Sequence, residues 1–193
     1  MSASPRMLAG FVQSSLEAID DIDPALGREV RARLKPETLD AIESAPAIAL
    51  ISVDFDVELT ECFFEVAGAD HAREALREHL RQSFAKPLLK PVLAGAFALL
   101  GRSLVRAFGW VPKIWGLIYH DAGEMVVAAA EPGRVRLELR RIPLAIASSP
   151  NYLAGSAETF AGFFDFAGVD GHVELIGPDI ASRSAAFVLT WSR

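Results

Sequence analysis

A single cysteine, Cys62, stands in 193 residues. One thiol excludes an intrachain disulfide framework and any multi-cysteine zinc site. It lies between Glu61 and Glu65 and beside Phe63 and Phe64. A reactive thiol needs an electropositive setting, so Cys62 reads as a buried structural residue. Basic residues are scarce as well: 19 Lys and Arg against 25 Asp and Glu give a net charge of −6. With no basic tail, a nucleic-acid partner is excluded, because affinity for a phosphate backbone rests on clustered cations.

Catalytic and nucleotide-binding signatures are missing too. No Gly-x-Gly-x-x-Gly, P-loop, His-Glu-x-x-His or Gly-x-Ser-x-Gly pattern occurs. Of the four histidines, His71 and His79 share one expected helix but stand two turns apart, about 12 Å, too far to share a metal. His120 follows Tyr119 and precedes a turn, which makes it an exposed or capping residue. Asp54-x-Asp56-x-Glu58 lacks the glycine and the distal glutamate of a calcium loop. The alternating Phe55, Val57 and Leu59 make these acids a polar face instead. No metal, cofactor or enzymatic activity is expected.

Long apolar runs are absent in the membrane sense. The longest, Pro91 to Gly101, spans 11 residues, well below the roughly 20 a bilayer-crossing helix needs. The opening Met-Ser-Ala-Ser-Pro-Arg lacks the features of a secretory leader, so a cytoplasmic location is the default expectation.

That short run is nevertheless the most telling feature present. It carries no polar side chain on any face, and such a helix must be covered by other elements or by a bound apolar molecule. Ala and Gly at 94, 95, 96, 98 and 101 either let another backbone approach or leave room for a guest. The apolar fraction is 51% and the mean hydropathy +0.28. These values fit a large core, an apolar ligand or an oligomer interface.

Periodicity predicts an α+β chain, read as one domain over 1–193: helices to about residue 120, then a ββαββ unit. Leu8, Phe11, Val12, Leu16 and Ile19 form a helical stripe over 5–19. Asp23-Pro24 opens a second helix to about Leu34, and Pro36 a third through Ile42. From Ala47 to Val53 helix and strand compete. Asp56 or Thr60 then leads into an apolar segment, Leu59 to Val66, closed by Gly68. Asp70 caps a helix over His71–Phe84. The apolar helix of 88–108 ends at Gly109, and Trp110 to Trp115 reads as a turn before a short amphipathic element.

Glu124–Ala130 and Arg134–Ile142 read as a hairpin joined at Glu131-Pro-Gly133, the second strand turning Val135, Leu137 and Leu139 inward. Ser149-Pro150 opens a helix that runs to Ala167 and stops at Gly168, in which Gly155 and Gly162 permit close packing. His172–Ile176 and Ala186–Trp191 are the last two strands.

From Leu99 to Arg193 this order of features resembles a known family. A basic helix end (Gly101-Arg-Ser-Leu-Val-Arg106) leads through a Trp/Pro segment to Leu117-Ile-Tyr119. The hairpin, the Ser-Pro helix closing on Ala-Gly-Val169, and two strands ending Phe187-Val-Leu-Thr-Trp191 follow. The pattern resembles an uncharacterised paralogous domain abundant in myxobacteria. Its layout is similar to the superfamily of heme-NO-binding sensors, 4-vinyl-reductase-type ligand domains and TRAPP tethering subunits. The resemblance implies helices packed on a four-stranded antiparallel sheet, an apolar cavity between them, and dimerisation through helices in several members. The Tyr-x-Ser-x-Arg motif of the heme sensors is missing, since Tyr152 is followed by Leu-Ala-Gly. His79 belongs to a charged amphipathic helix, so heme is disfavoured; the cysteine-rich zinc site of phenol-sensing relatives is missing too.

The expected role is therefore a non-enzymatic sensor or carrier of an apolar small molecule or acyl chain. Its candidate ligand-binding residues are Leu93, Phe97, Leu100, Leu104, Trp115, Tyr119, Phe160 and Phe164. The alternative is a dimerisation or protein-interaction module, with a homodimer or signalling partner, a filled core and no ligand.

Overall fold

A computed structural model describes residues 4–83 and 103–192, the side chains of 78–83 and of 166 excepted. Helix and strand are both plentiful, as the periodicity requires. In order the elements are β1 (Arg6–Leu8), α1 (Ala9–Ile22), α2 (Pro24–Arg33), α3 (Pro36–Ser44), β2 (Leu50–Ser52), α4 (Val53–Ala67) and α5 (Ala69–Ser83). After the interval come α6 (Leu104–Ile118), β3 (Tyr119–His120), β4 (Glu124–Glu131), β5 (Arg134–Arg140), α7 (Leu144–Ala147), α8 (Pro150–Ala167), β6 (Gly171–Asp179) and β7 (Ser184–Trp191). The run at 91–101, with Leu93, Phe97 and Leu100, lies outside the described residues.

Local chemistry accounts for the helix ends that were expected. Asp23 accepts from the Ala25 amide ahead of Pro24, and Ser149 accepts from the Tyr152 amide ahead of Pro150, so each cap satisfies an otherwise unpaired helix donor. Gly168 stops α8 in the left-handed region at φ +67°, where a side chain would be strained. In α8, a Cβ on Gly155 would stand 2.8 Å from Leu76 of α5, so the missing side chain does permit a close approach.

The four-stranded antiparallel sheet has the order β4-β5-β7-β6, with α7 and α8 inserted between β5 and β6. Val135, Leu137 and Leu139 face inward beside Leu189, Phe187 and Ala185, their partners across the β5–β7 ladder. The hairpin turns through Pro132 and Gly133, the latter at φ +82°. A continuous apolar core joins this inner face to α6, α8 and the N-terminal helices.

Several expectations are corrected. Residues 6–8 are not helical: they form the central strand of a small sheet of order β2-β1-β3. This sheet also settles the contest at Ala47–Val53 in favour of a strand, Leu50–Ser52. His120 stands half-buried in β3, its backbone opposite Arg6, and is not a helix cap. Helix α4 starts at Val53, earlier than expected, because Ser52 accepts from the Asp54 amide.

The expected break at Gly109 and turn at 110–115 are absent, and α6 runs on through Pro112 to Ile118. Leu104, Ala107, Phe108, Val111, Trp115 and Ile118 fall on one buried face at helical spacing. Burying that stripe outweighs the proline's missing hydrogen bond, a local penalty of about 3 kcal/mol. Among the described residues, no helix is long and apolar enough to cross a membrane.

A buried polar chain as the candidate site

The one deeply buried carboxylate among the described residues is Asp56, 5% exposed in the first turn of α4. A charge there is costly unless partnered, so its surroundings are the natural place to look for function. Tyr152, in the first turn of α8, donates its hydroxyl to Asp56 Oδ2 at 2.7 Å. The Tyr119 hydroxyl lies 2.7 Å from that of Tyr152. One turn back along α6, Trp115 stacks on Tyr119 with ring centroids 3.8 Å apart and planes 16° from parallel. Phe11 of α1 meets Tyr119 edge-on at 6.5 Å. Elements from α1, α4, α6, β3 and α8 thus converge on one row of polar atoms.

Electrostatics orient this row. Burial raises the Asp56 carboxyl to about 6, against an opposing effect of the Tyr152 hydrogen bond. Burial first, and Asp56 second, push both Tyr119 and Tyr152 upward, so both stay phenols. With Asp56 ionised it can only accept, which sets the order: Tyr119 donates to Tyr152, and Tyr152 to Asp56. Trp115 Nε1 is the member left over. It is buried without a hydrogen-bond partner among the described residues, an unusual condition for a polar atom in a folded protein.

Beside this row, α4 grips the start of α8 a second time. Glu61 accepts from Ser149 Oγ and, at 2.7 Å, from Asn151 Nδ2. Two of the five acidic residues of α4, Asp56 and Glu61, therefore meet the positive end of α8, where negative charge is favoured.

The expected ligand residues fall into two groups. Trp115 and Tyr119 belong to the polar chain. Phe160 and Phe164 sit in an aromatic seam between α8 and the sheet, Phe160 5.0 Å from Phe187 and Phe164 5.8 Å from Phe108 and 6.0 Å from Trp191. Leu104 is buried at the start of α6. Asp56 and Tyr152 were missed as site residues. Asp56 was assigned to a polar face, yet it shares the buried stripe Val53, Asp56, Val57, Phe63 and Phe64, and a carboxylate within an apolar helical stripe was the available signal.

A separate cavity of about 40 Å³ lies between α1, α4 and α5, lined by residues such as Ile19, Leu59, Phe63 and Ala75. It touches none of the expected ligand residues that are described and suits a few waters at most. Cys62 is buried, and burial with Glu58 and Glu65 pushes its thiol up, consistent with an inert residue. No group of three or more His, Cys, Asp or Glu among the described residues could hold a metal ion.

No family model matches the sequence, and no curated protein matches it. Solved structures do share its fold. An Fe(II) unliganded H-NOX protein mutant from K. algicida aligns over 97% of both chains, with a TM-score of 0.66 at 10% identity. A mutant H-NOX from T. tengcongensis aligns over 97% of this chain and 98% of its own, with a TM-score of 0.62 at 15% identity. An oxygen-binding H-NOX domain related to soluble guanylate cyclases aligns over 97% of this chain and 96% of its own, with a TM-score of 0.58 at 15% identity. At such identities the likeness is one of fold, and it agrees with the helices-on-sheet layout that the resemblance implied.

Heme, the group that resemblance brings with it, does not fit the described residues. Its iron needs an axial donor inside the protein, such as histidine, thiolate or phenolate. No histidine whose side chain is described is fully buried: His71 and His172 are exposed and His120 is half-buried. Cys62 is held as a thiol and the two tyrosines as phenols. The helix–sheet seam where a macrocycle would need room is occupied by Phe108, Phe164 and Phe187, all fully buried.

Proposed function

We propose that this protein is a non-enzymatic sensor or carrier domain that binds an apolar small molecule or acyl chain between its helices and its sheet. Its kinship within the superfamily would be with the myxobacterial paralogous domain, on the order of features from Leu99 to Arg193, and its setting cytoplasmic. The observation that carries the ligand reading is the unpartnered Trp115 indole. A buried donor without an acceptor costs about 1–3 kcal/mol, and a bound molecule that supplies the acceptor recovers that cost. Asp56 points the same way, since a buried carboxylate retained at the expense of stability is a mark of functional sites. Leu93, Phe97 and Leu100, outside the described residues, remain candidate ligand residues on sequence grounds; Trp115 and Tyr119 would stand at the polar end of this ligand and Leu104, Phe160 and Phe164 on its apolar side.

Native mass spectrometry of the full chain, followed by organic extraction, tests the reading. A bound apolar species released by solvent is the expected result; a clean protein mass after gentle purification, unchanged on adding apolar compounds, would defeat it.

One observation favours a second reading, the dimerisation or interaction module. The aromatic seam is filled by the chain's own rings, while Leu117 on α6 and Leu144 on α7 are exposed, at 62% and 58%. Light scattering separates the two, because a monomer at high concentration removes the homodimer.

A further inference from the structure

The polar chain restricts the chemistry of the ligand, on the reading that a ligand binds there at all. With Asp56 ionised, the Tyr152 hydroxyl is committed to Asp56 and the Tyr119 hydroxyl to Tyr152. Trp115 Nε1 is then the donor of the cluster left without a partner among the described residues. An indole N–H donates and cannot accept, so the group it lacks is an acceptor.

That acceptor has two possible charges, and the surroundings discriminate between them. Asp56 meets Tyr152, and Glu61 meets Ser149 and Asn151; no cation is among the partners of either acid. A carboxylate or phosphate head entering here would face Asp56 across a poorly screened interior, and none of the described partners of the two acids is a counter-charge that would offset its desolvation. A neutral oxygen meets no such penalty. The stacked Trp115–Tyr119 pair and Phe11 make the surroundings of the indole aromatic and apolar.

We propose that the site selects an uncharged, apolar molecule carrying a carbonyl oxygen, which accepts a hydrogen bond from Trp115 Nε1, and that it rejects the corresponding carboxylate. Within the ligand reading, this favours ketones, esters, amides or quinones over free fatty acids.

Three probes of one chain length, octane, 2-octanone and octanoate, are added at pH 8 to the ¹⁵N-labelled full chain. Indole cross-peaks and titration calorimetry are followed together, and Trp115→Phe identifies the relevant cross-peak. The expected result is a downfield shift of the Trp115 indole proton with 2-octanone and affinity about tenfold above that for octane, the worth of one hydrogen bond. Octanoate binds at least about tenfold more weakly than the ketone, and Asp56→Asn narrows that gap, as relief of a like-charge penalty requires. Trp115→Phe abolishes the preference for the ketone over octane. Equal binding of ketone and alkane with an unmoved indole would overturn the assigned ligand class and leave the apolar-ligand reading standing. Octanoate binding as tightly as the ketone would overturn the exclusion of anions. Failure of all three probes to bind would remove both the class and the reading beneath it.

Discussion

At one end of the α6–α8 pair, Phe108, Phe163 and Phe164 pack with Trp191 into a seam of aromatic rings whose one side-chain polar atom is the Trp191 indole nitrogen. At the other, the same two helices supply Trp115 and Tyr152 to a row that includes a buried carboxylate and an unpaired donor. Phe108 and Trp115 are seven residues apart, two turns or about 10 Å along one helix. The seam maximises burial. The polar row gives up stability, and that contrast is what marks it as the candidate site.

The largest expected effect breaks the seam. Phe164→Ala removes a fully buried ring and should cost about 3–5 kcal/mol, read as a lowered midpoint in chemical denaturation. A loss below about 1 kcal/mol would mean the seam is loosely packed, and the comparison would collapse from that side.

The next test acts on the polar row and runs in the opposite direction. The folded Asp56 carboxyl keeps its proton up to about pH 6, whereas the ordinary value is 3.8. Folding therefore binds a proton between these values. The contribution is complete below about pH 4 and is lost as pH rises through 6, amounting to about 3 kcal/mol. Asp56→Asn keeps an acceptor for Tyr152 without the charge. It should stabilise the protein at pH 8 by up to about 3 kcal/mol and flatten the stability profile between pH 4 and 7. Urea titrations at pH 4.5 and 8 measure both; a variant less stable than the parent at pH 8 would contradict the cost assigned to Asp56.

Trp115→Phe sharpens the same point on a smaller scale. It keeps a stacking ring and deletes the unpaired donor, so the ligand-free protein should gain about 1 kcal/mol or remain unchanged in thermal unfolding. A marked loss would show that the indole nitrogen is partnered after all.

The smallest effect lies outside both regions. Arg77 of α5 holds Asp165 of α8 with two bonds of 2.5 and 2.7 Å, but both side chains are well exposed. Asp165→Asn should cost less than about 1 kcal/mol, and less still in high salt.

Much of the architecture was legible because its causes are local. Ser149-Pro150 and Gly168 bound α8, the alternation of Arg134 to Arg140 marks a strand with one wet face, and Gly155 is small where α5 comes close. Phe160, Phe164, Trp115 and Tyr119, the aromatic candidates for ligand binding, lie in or against the apolar core. The site was only half legible. Trp115 and Tyr119 are one helical turn apart, so their meeting follows from helix geometry. Asp56 and Tyr152 are 96 residues apart, and nothing in either neighbourhood announces the other.

The errors have the same origin. Gly109 and Pro112 are strong local stop signals, yet α6 continues through them because its apolar face has a core to bury against. Residues 6–8 open the segment read as helical over 5–19 but form a strand because β2 and β3 offer backbone partners on both sides. By itself the sequence determined where most helices and strands begin and end, since caps, prolines and periodicity act within a few residues. Tertiary structure alone decided that α6 would not break, that three short strands would pair, and that Asp56 would be buried against Tyr152. Those outcomes depend on which surfaces meet, and the free energy of burial is settled only when distant segments exclude water together.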